Sequence, residues 1–192
     1  MGKKINTQIR DNYDRYLLLL NELKNSIEEI IILDKFKQNH KKTRIKKTAV
    51  VHPNHDENIE LIVESDKYNR RDFKFKLRFS KFFDEPFFRF DSSGLAHKNY
   101  DPNIELHLQK IDTPHFHKYD SNGRCIAYQT KPLKIEAERN ALLDDISLSM
   151  AHYCDESKTF FNDKYIKVLQ VPINEINLNT ENSNPTDGVR YE

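Results

Sequence analysis

Two histidines separated by one residue stand in the segment TPHFHKYDSNGRCIAYQT, residues 113–130. A β-strand alternates its side chains between two faces, so His115, His117 and Tyr119 are predicted to share one face while Phe116 occupies the other. Two imidazoles about 7 Å apart on one face suit an acid–base pair, two ligands of one metal ion, or simply a polar sheet face. The sequence leaves these three interpretations open.

A second group of residues suited to chemistry lies upstream, in FFRFDSSGLAHKN, residues 87–99. Metal-free cleavage of RNA needs a base, an acid and cations, and histidine serves as base or acid near neutral pH. Arg89 and Arg124 are candidates for holding the phosphate, and Asp91 is the candidate for fixing one histidine tautomer. The predicted catalytic group is His115, His117, Arg89, Asp91, His97, Arg124 and Tyr119.

A metal centre is a second interpretation of the same residues. His115 and His117, with His97 or Asp91 as the third ligand, would leave an open coordination position, as catalytic zinc sites do. Neither cysteine has the spacing of a structural zinc site. The expectation is therefore a site without a cofactor, with metal binding as the alternative.

The spacing Arg-x-Asp, Gly, His, Pro-His-x-His-x-Tyr resembles that of the TumE-type toxins of bacterial toxin–antitoxin pairs. It is more closely similar to a related family of phage and prophage proteins of unassigned activity. The resemblance covers residues 86–128, and the matching positions are Arg89, Asp91, His97, His115 and His117. It implies a toxin that acts on RNA, with an antitoxin as a partner. The long N-terminal segment and the Ser-Ser-Gly after Asp91 depart from the pattern of the toxins.

Length and composition limit the classes of function. A chain of 192 residues is predicted to form one domain, and a net charge of +1 identifies no partner. Two cysteines, the absence of a membrane-length apolar run and the lack of a secretory pattern favour a cytoplasmic protein. With four glycines and no nucleophile-elbow motif, the sequence argues against nucleotide-binding loops and α/β-hydrolase chemistry.

The N-terminal part of the chain is predicted to be helical. Apolar residues recur at helical spacing from Ile9 to Ile31, which predicts one long amphipathic helix over 7–37. This helix is either part of the domain or an arm that binds a partner. A basic linker over 38–47 is expected to follow it. The predicted division is 1–40 for this helix, 41–174 for an α+β domain and 175–192 for a flexible acidic and polar tail.

Strand patterns dominate the remainder of the sequence. FKFKLRF at 73–79 alternates phenylalanine and leucine with cations, and it is predicted to pair as a hairpin with the alternating segment 57–65. The further predicted elements are strands near 86–91, 104–108, 115–119, 124–129 and 164–173 and a helix over 135–153. An Asn-Gly turn joins the strands of the second hairpin. The predicted fold class is α+β, a mostly antiparallel sheet flanked by a long N-terminal helix and a second helix near the C-terminus.

Five cations are predicted contacts for a phosphate backbone: Lys74, Lys76, Arg78, Lys46 and Lys47. The other interpretation is that these cations cover the solvated face of a half-buried sheet. In that case Glu60 and Glu64 on the neighbouring strand are expected to pair with them.

The function predicted from these features is action on RNA or other nucleic acid by a small phage or mobile-element protein. Metal-independent RNA cleavage by paired histidines is the first mechanism. The alternative function is a non-enzymatic inhibitor or adaptor, for example a phage antagonist of host defence, which binds a protein or a nucleic acid. No membrane partner is expected.

Overall fold

Strands are the most frequent regular element in the described part of the chain. The computed structural model describes residues 5–101 and 103–171, with residues 55–58 as backbone only. The strands are β1 (Lys24–Ser26), β2 (Ile30–Leu33), β3 (Phe36–Lys37), β4 (His40–His52), β5 (His55–Asp66), β6 (Phe73–Arg78), β7 (Phe88–Asp91), β8 (His97–Lys98), β9 (Lys110–Ile111), β10 (His115–Tyr119), β11 (Cys125–Tyr128), β12 (Thr159–Phe160) and β13 (Lys167–Gln170).

Nine of these strands make one large sheet. Its order is β11-β10-β7-β6-β5-β4-β1-β12, with β3 paired to β4. All neighbours are antiparallel except β1 and β12. Two small sheets accompany it, the parallel pair β2–β13 and the antiparallel pair β8–β9. The predicted α+β class with a mostly antiparallel sheet is confirmed.

Five α-helices occur in the part of the chain that the structure describes. They are α1 (Thr7–Asp11), α2 (Tyr13–Asn21), α3 (Lys131–Lys134), α4 (Glu136–Asp144) and α5 (Ile146–Ser157), and a 3₁₀ turn spans Leu106–Gln109. None of the described helices is long and apolar enough to cross a membrane.

An aromatic core on one face of the sheet fixes the strand register. Phe75 and Phe90 have ring centroids 5.7 Å apart, Phe90 and Phe116 are 4.8 Å apart, and Phe88 lies 5.4 Å from Tyr153 of α5. Burial of each such ring stabilises the fold by about 1.5–3 kcal/mol. Because a slip by one residue would turn all these rings to the other face, the alternate, polar residues of the same strands are held on the opposite face.

The prediction of one long helix over 7–37 is wrong, since α2 ends at Asn21. The ammonium group of Lys24 is buried and donates to three backbone carbonyls at 2.7–3.2 Å. These carbonyls belong to Leu19, Leu20 and Glu22. A cation at this position satisfies carbonyls that the last helical turn leaves without partners, and so it stabilises the end of the helix.

The isoleucine run that extended the predicted helix is a strand. β2 alternates exposed and buried residues and pairs in parallel with β13. β-Branched isoleucine favours this pleated geometry. Ile31 and Leu33 lie in the same core cluster as Ile9 and Tyr16, so the described N-terminal elements belong to the common core.

Three further segments differ from the prediction. Most of the expected linker over 38–47 is the first half of β4, because residues from Thr43 onward pair with β5. The strand predicted at 104–108 overlaps the 3₁₀ turn and forms no strand. The helix predicted over 135–153 is divided into α4 and α5 by Asp145, whose carboxylate accepts hydrogen bonds from the backbone of the first turn of α5. The predicted tail at 175–192 lies outside the described residues.

Candidate functional site

Strand register assembles the candidate site on the polar face of the sheet. β7 pairs with β10 so that Arg89 lies opposite His117 and Asp91 lies opposite His115. The residues that alternate with them enter the aromatic core. Side chains directly opposite each other on antiparallel strands are close neighbours, so the four polar groups lie side by side. The predicted shared face of His115 and His117 is therefore present.

His117 is the centre of this group. Its Nε2 atom lies 3.1 Å from Asp91 Oδ2 and 2.9 Å from Arg89 Nη2. Arg89 Nε lies 3.1 Å from the same carboxylate oxygen. His117 and Asp91 are only 4% and 8% exposed, whereas the side chain of Arg89 is 34% exposed. The three groups thus form one unit that solvent reaches from the side of Arg89.

The position of one proton decides which partner His117 Nε2 contacts. Nε2 accepts a hydrogen bond from Arg89 only without a proton, and it donates to Asp91 only with one. In the second tautomer Nδ1 is unprotonated and lies 3.7 Å from the sulfur of Cys125. This tautomer makes His117 a base on the side of Cys125, with Asp91 fixing its orientation.

The other two predicted histidines contact the same ring. The ring centroids of His115 and His97 lie 4.5 and 4.8 Å from that of His117, both edge to face. His115 Nδ1 is 3.1 Å from the backbone carbonyl of Asp112. Because a carbonyl only accepts, Nδ1 of His115 carries the proton and its Nε2 is unprotonated. His97 donates from Nε2 to the carbonyl of Cys125 at 3.2 Å.

Burial and local charge set the protonation states. Burial, together with the charge of Arg89, lowers the pKa of His117 to about 4 against the opposing effect of Asp91. Burial also lowers the pKa of His115. For Asp91, burial alone would raise the pKa, but the hydrogen bond with His117 and the charge of Arg89 outweigh it and leave the pKa below its usual value. At neutral pH the imidazoles of His115 and His117 are therefore neutral beside the carboxylate of Asp91.

The segment that follows β7 packs against the cluster and against the edge strand β11. The side chain of Asn99 exchanges two hydrogen bonds with the backbone of Ala127, at 2.7 and 2.9 Å. Arg124 binds Asp120 at 2.7 Å and lies 3.9 Å from Asp101. Its guanidinium therefore holds the hairpin turn and this segment together, and it lies outside the pocket described next.

A pocket of about 110 Å³ reaches His117. Its lining residues are Glu85, Pro86, Arg89, His117, Tyr119 and Cys125. Since a water molecule occupies about 30 Å³ in the liquid, the pocket has room for roughly three to four water molecules, or for part of a phosphate group. Within the described part of the chain, His115 and His97 are not among its lining residues. A larger cleft of about 380 Å³ shares Glu85, Tyr119 and Cys125 with this pocket.

Sequence reasoning missed three residues of the pocket, Glu85, Pro86 and Cys125. The hydroxyl of Tyr119 donates to Glu85 at 2.9 Å, and burial raises the pKa of that hydroxyl. Glu85 stands in the aromatic run before β7, whose composition indicates core packing. Cys125 lies directly opposite Tyr119 in the second hairpin. The strand pairing on either side of the Asn-Gly turn is the signal that could have placed Cys125 on the face of the histidines.

The cations predicted to follow a phosphate backbone are mostly paired with glutamates. The ion pairs are Lys76–Glu64 at 2.7 Å, Lys46–Glu28 at 3.0 Å and Lys47–Glu60 at 3.8 Å. Lys37 also binds Glu64, at 2.8 Å. For Lys76 and Lys47 this arrangement matches the alternative interpretation, in which the cations cover the polar sheet face, whereas Lys46 lies opposite Val63 on the other face. Among the described residues, Arg89 is the cation that lines the pocket.

Three of the predicted residues have the arrangement of metal ligands. Asp91, His115 and His117 each offer one ligand atom, and these atoms lie within 4.8 Å of one another. Asp91 Oδ1 is buried and accepts no hydrogen bond from any described residue. Two imidazoles and a carboxylate form a donor set that zinc and other divalent transition metals accept.

Comparison of the chain with protein-family models, with curated proteins and with solved structures found no match. Functional inference therefore depends on the geometry of the site.

Proposed function

We propose that this protein cleaves RNA at the pocket beside His117. The observation that carries the proposal is that Arg89 and His117 line the same pocket, and that Nδ1 of His117, the nitrogen that acts as the base, lies 3.7 Å from the sulfur of Cys125 of that pocket. A phosphate that binds the guanidinium would lie beside a neutral imidazole. The resemblance of the motif to TumE-type toxins supports the same substrate class.

The chemistry assigns separate tasks to the residues of the cluster. His117 takes the proton of a ribose 2′-hydroxyl, and the 2′-oxygen attacks the adjacent phosphorus. The bond from phosphorus to the 5′-oxygen breaks, and that oxygen receives the proton back from His117. Arg89 stabilises the added negative charge on the phosphate, and Asp91 holds the imidazole in the tautomer that acts as a base. The products are a 2′,3′-cyclic phosphate and a 5′-hydroxyl.

This mechanism revises the role of the histidine pair. His115 contacts His117 but does not line the pocket, so a second acid at the phosphate is not assigned to it. His115 is instead a positioning residue for His117.

The test is cleavage of a single-stranded RNA of mixed sequence in the presence of EDTA. His117→Ala should lower the rate by about 10²- to 10⁴-fold, the usual contribution of a general base. Arg89→Gln should also lower it, through weaker phosphate binding and charge stabilisation. His107→Ala, at an exposed histidine, is the matched control and should keep the wild-type rate. Equal rates for wild type and His117→Ala, or no cleavage by wild type, would reject the proposal.

A second candidate function, binding to a protein partner as an inhibitor or adaptor, has its own observation. Ile30, Ile32 and Leu169 are half-exposed on the small sheet β2–β13, where Leu169 lies opposite Ile32. Neighbouring exposed apolar side chains are typical of protein-binding surfaces. If the protein is an inhibitor, Ile32→Lys should abolish its biological effect and leave RNA cleavage unchanged. If it is an enzyme, His117→Ala should abolish RNA cleavage and leave partner binding unchanged.

A further inference from the structure

We infer that Asp91, His115 and His117 bind a divalent transition-metal ion, with Zn²⁺ as the best match, and that the ion binds in exchange for the guanidinium of Arg89. The metal-bound and arginine-bound states would then exclude each other. Inhibition of RNA cleavage by the metal is the functional consequence, and that part alone rests on the proposed function.

Two of the three ligand atoms, those of Asp91 and His117, already have the separation of metal ligands, and the ligand atom of His115 lies within 4.8 Å of them. The hydrogen bond from His115 Nδ1 to the carbonyl of Asp112 leaves Nε2 of His115 unprotonated, as a metal ligand must be. His117 Nε2 lies 3.1 Å from Asp91 Oδ2, a separation that suits two ligands of one tetrahedral ion at about 2.0–2.2 Å from each. All three ligand residues are at least nine-tenths buried.

One atom of this group lacks a partner among the described residues. Asp91 Oδ1 is buried without a hydrogen bond from that part of the chain, although its partner oxygen contacts both Arg89 and His117. A buried carboxylate oxygen without a donor is costly, and an ion that Asp91 binds through both of its oxygens satisfies it. This unsatisfied oxygen is an observation independent of the clustering of ligand atoms.

Arg89 contacts the same two atoms that a metal ion would bind. Its Nη2 is 2.9 Å from His117 Nε2, and its Nε is 3.1 Å from Asp91 Oδ2. A guanidinium and a dication repel each other strongly at such a distance. The Arg89 side chain is one-third exposed and lines the pocket, so it has space to leave the carboxylate. Metal binding therefore requires displacement of Arg89.

Metal binding also removes the proposed base. With Zn²⁺ on Nε2 of His117, the remaining proton of the neutral imidazole lies on Nδ1, so Nδ1 no longer accepts the proton of a 2′-hydroxyl. A displaced Arg89 also no longer supports the phosphate beside His117. Zn²⁺ is therefore expected to inhibit RNA cleavage.

The binding test is isothermal titration of the metal-free full chain with Zn²⁺. Wild type should bind one ion, and Asp91→Asn or His115→Gln should weaken binding by at least about 100-fold. Arg89→Gln should bind about tenfold more tightly, because it removes the competing cation. His107→Gln is the matched control and should bind like wild type. Weaker binding by Arg89→Gln than by wild type would overturn the exchange, and undiminished binding by Asp91→Asn would overturn the site.

A spectroscopic measurement covers the case in which a ligand variant does not fold. Co²⁺ added to the wild-type chain should give the visible absorption of a tetrahedral complex at one equivalent, and one equivalent of Zn²⁺ should remove it. No such absorption would reject the site. If the chain binds zinc but the metal-free chain does not cleave RNA, the proposed function is rejected and the metal site is kept. If Zn²⁺ binds and RNA cleavage is unaffected, the exchange is rejected.

Discussion

The low pKa of His117 has a measurable effect on folding stability. Burial lowers this pKa from 6.5 to about 4, so between these values the unfolded chain binds more protons than the native chain does. Stability is therefore full above about pH 6.5 and is lost as the pH falls toward 4. Each pKa unit corresponds to about 1.36 kcal/mol, so His117 accounts for a loss of about 3 kcal/mol across this window.

Other buried groups change the curve in the same direction. Burial lowers the pKa of His115 and of His152, and each of them adds to the loss of stability in acid. The low pKa of Asp91 adds a further loss as the pH falls through that lowered value. The contribution of His117 must therefore be isolated by comparing variants.

Urea denaturation between about pH 4 and 6.5 makes this comparison. His117→Gln removes one titrating group, so its unfolding free energy should depend on pH less steeply than that of wild type, by up to about 1.4 kcal/mol per pH unit. His107→Gln, at an exposed position, should follow the wild-type slope. A His117→Gln curve parallel to wild type, or an NMR titration of His117 near its ordinary pKa, would refute the buried neutral imidazole.

Iodoacetamide should alkylate Cys125, which lines the pocket, far faster than Cys154. The reason is that Cys154 is buried and that burial raises the pKa of its thiol to about 12. Peptide mass spectrometry measures both rates, and equal rates would contradict the site. Lys24→Met should lower the free energy of unfolding by about 2 kcal/mol, because three carbonyls at the end of α2 lose their hydrogen-bond donor. Urea denaturation measures this, and an unchanged free energy would show that water replaces the ammonium group as the donor. Asp145→Ala should lower the free energy of unfolding by about 1 kcal/mol, because α5 loses its N-cap. Asp144→Ala, at an exposed carboxylate, should lower it less in the same assay, and the reverse order would refute the cap.

The sheet and the second hairpin were predictable because alternation and turn chemistry are local signals. The alternation in FKFKLRF predicts which face is buried, and the Asn-Gly turn predicts the pairing of β10 with β11. The same alternation placed His115 and His117 on one face.

The N-terminal elements were not predictable by the same reasoning. Isoleucine runs fit a helix and a buried strand equally well over a short window. The difference is made by the pairing of β2 with β13, more than a hundred residues away, and by the buried ammonium of Lys24.

The shape of the site also depends on long-range structure. The register of β7 against β10 places Arg89 opposite His117, and the sequence of either strand alone does not predict it. The segment after β7 has no periodic pattern, yet Asn99 fixes it to β11. For that reason the sequence could group the histidines but could not show that His117 reaches the pocket and His115 does not.

The most direct test of RNA cleavage by His117 is the chemistry of the product ends. A short RNA with one cleavable position should be treated with the protein in EDTA, beside an otherwise identical strand that carries a single 2′-deoxyribose at that position. We expect a 2′,3′-cyclic phosphate and a 5′-hydroxyl from the first strand and no cleavage of the second, because the attacking oxygen is missing. Cleavage of the 2′-deoxy strand at the same position, or 5′-phosphate ends, would contradict a mechanism in which His117 activates the 2′-hydroxyl.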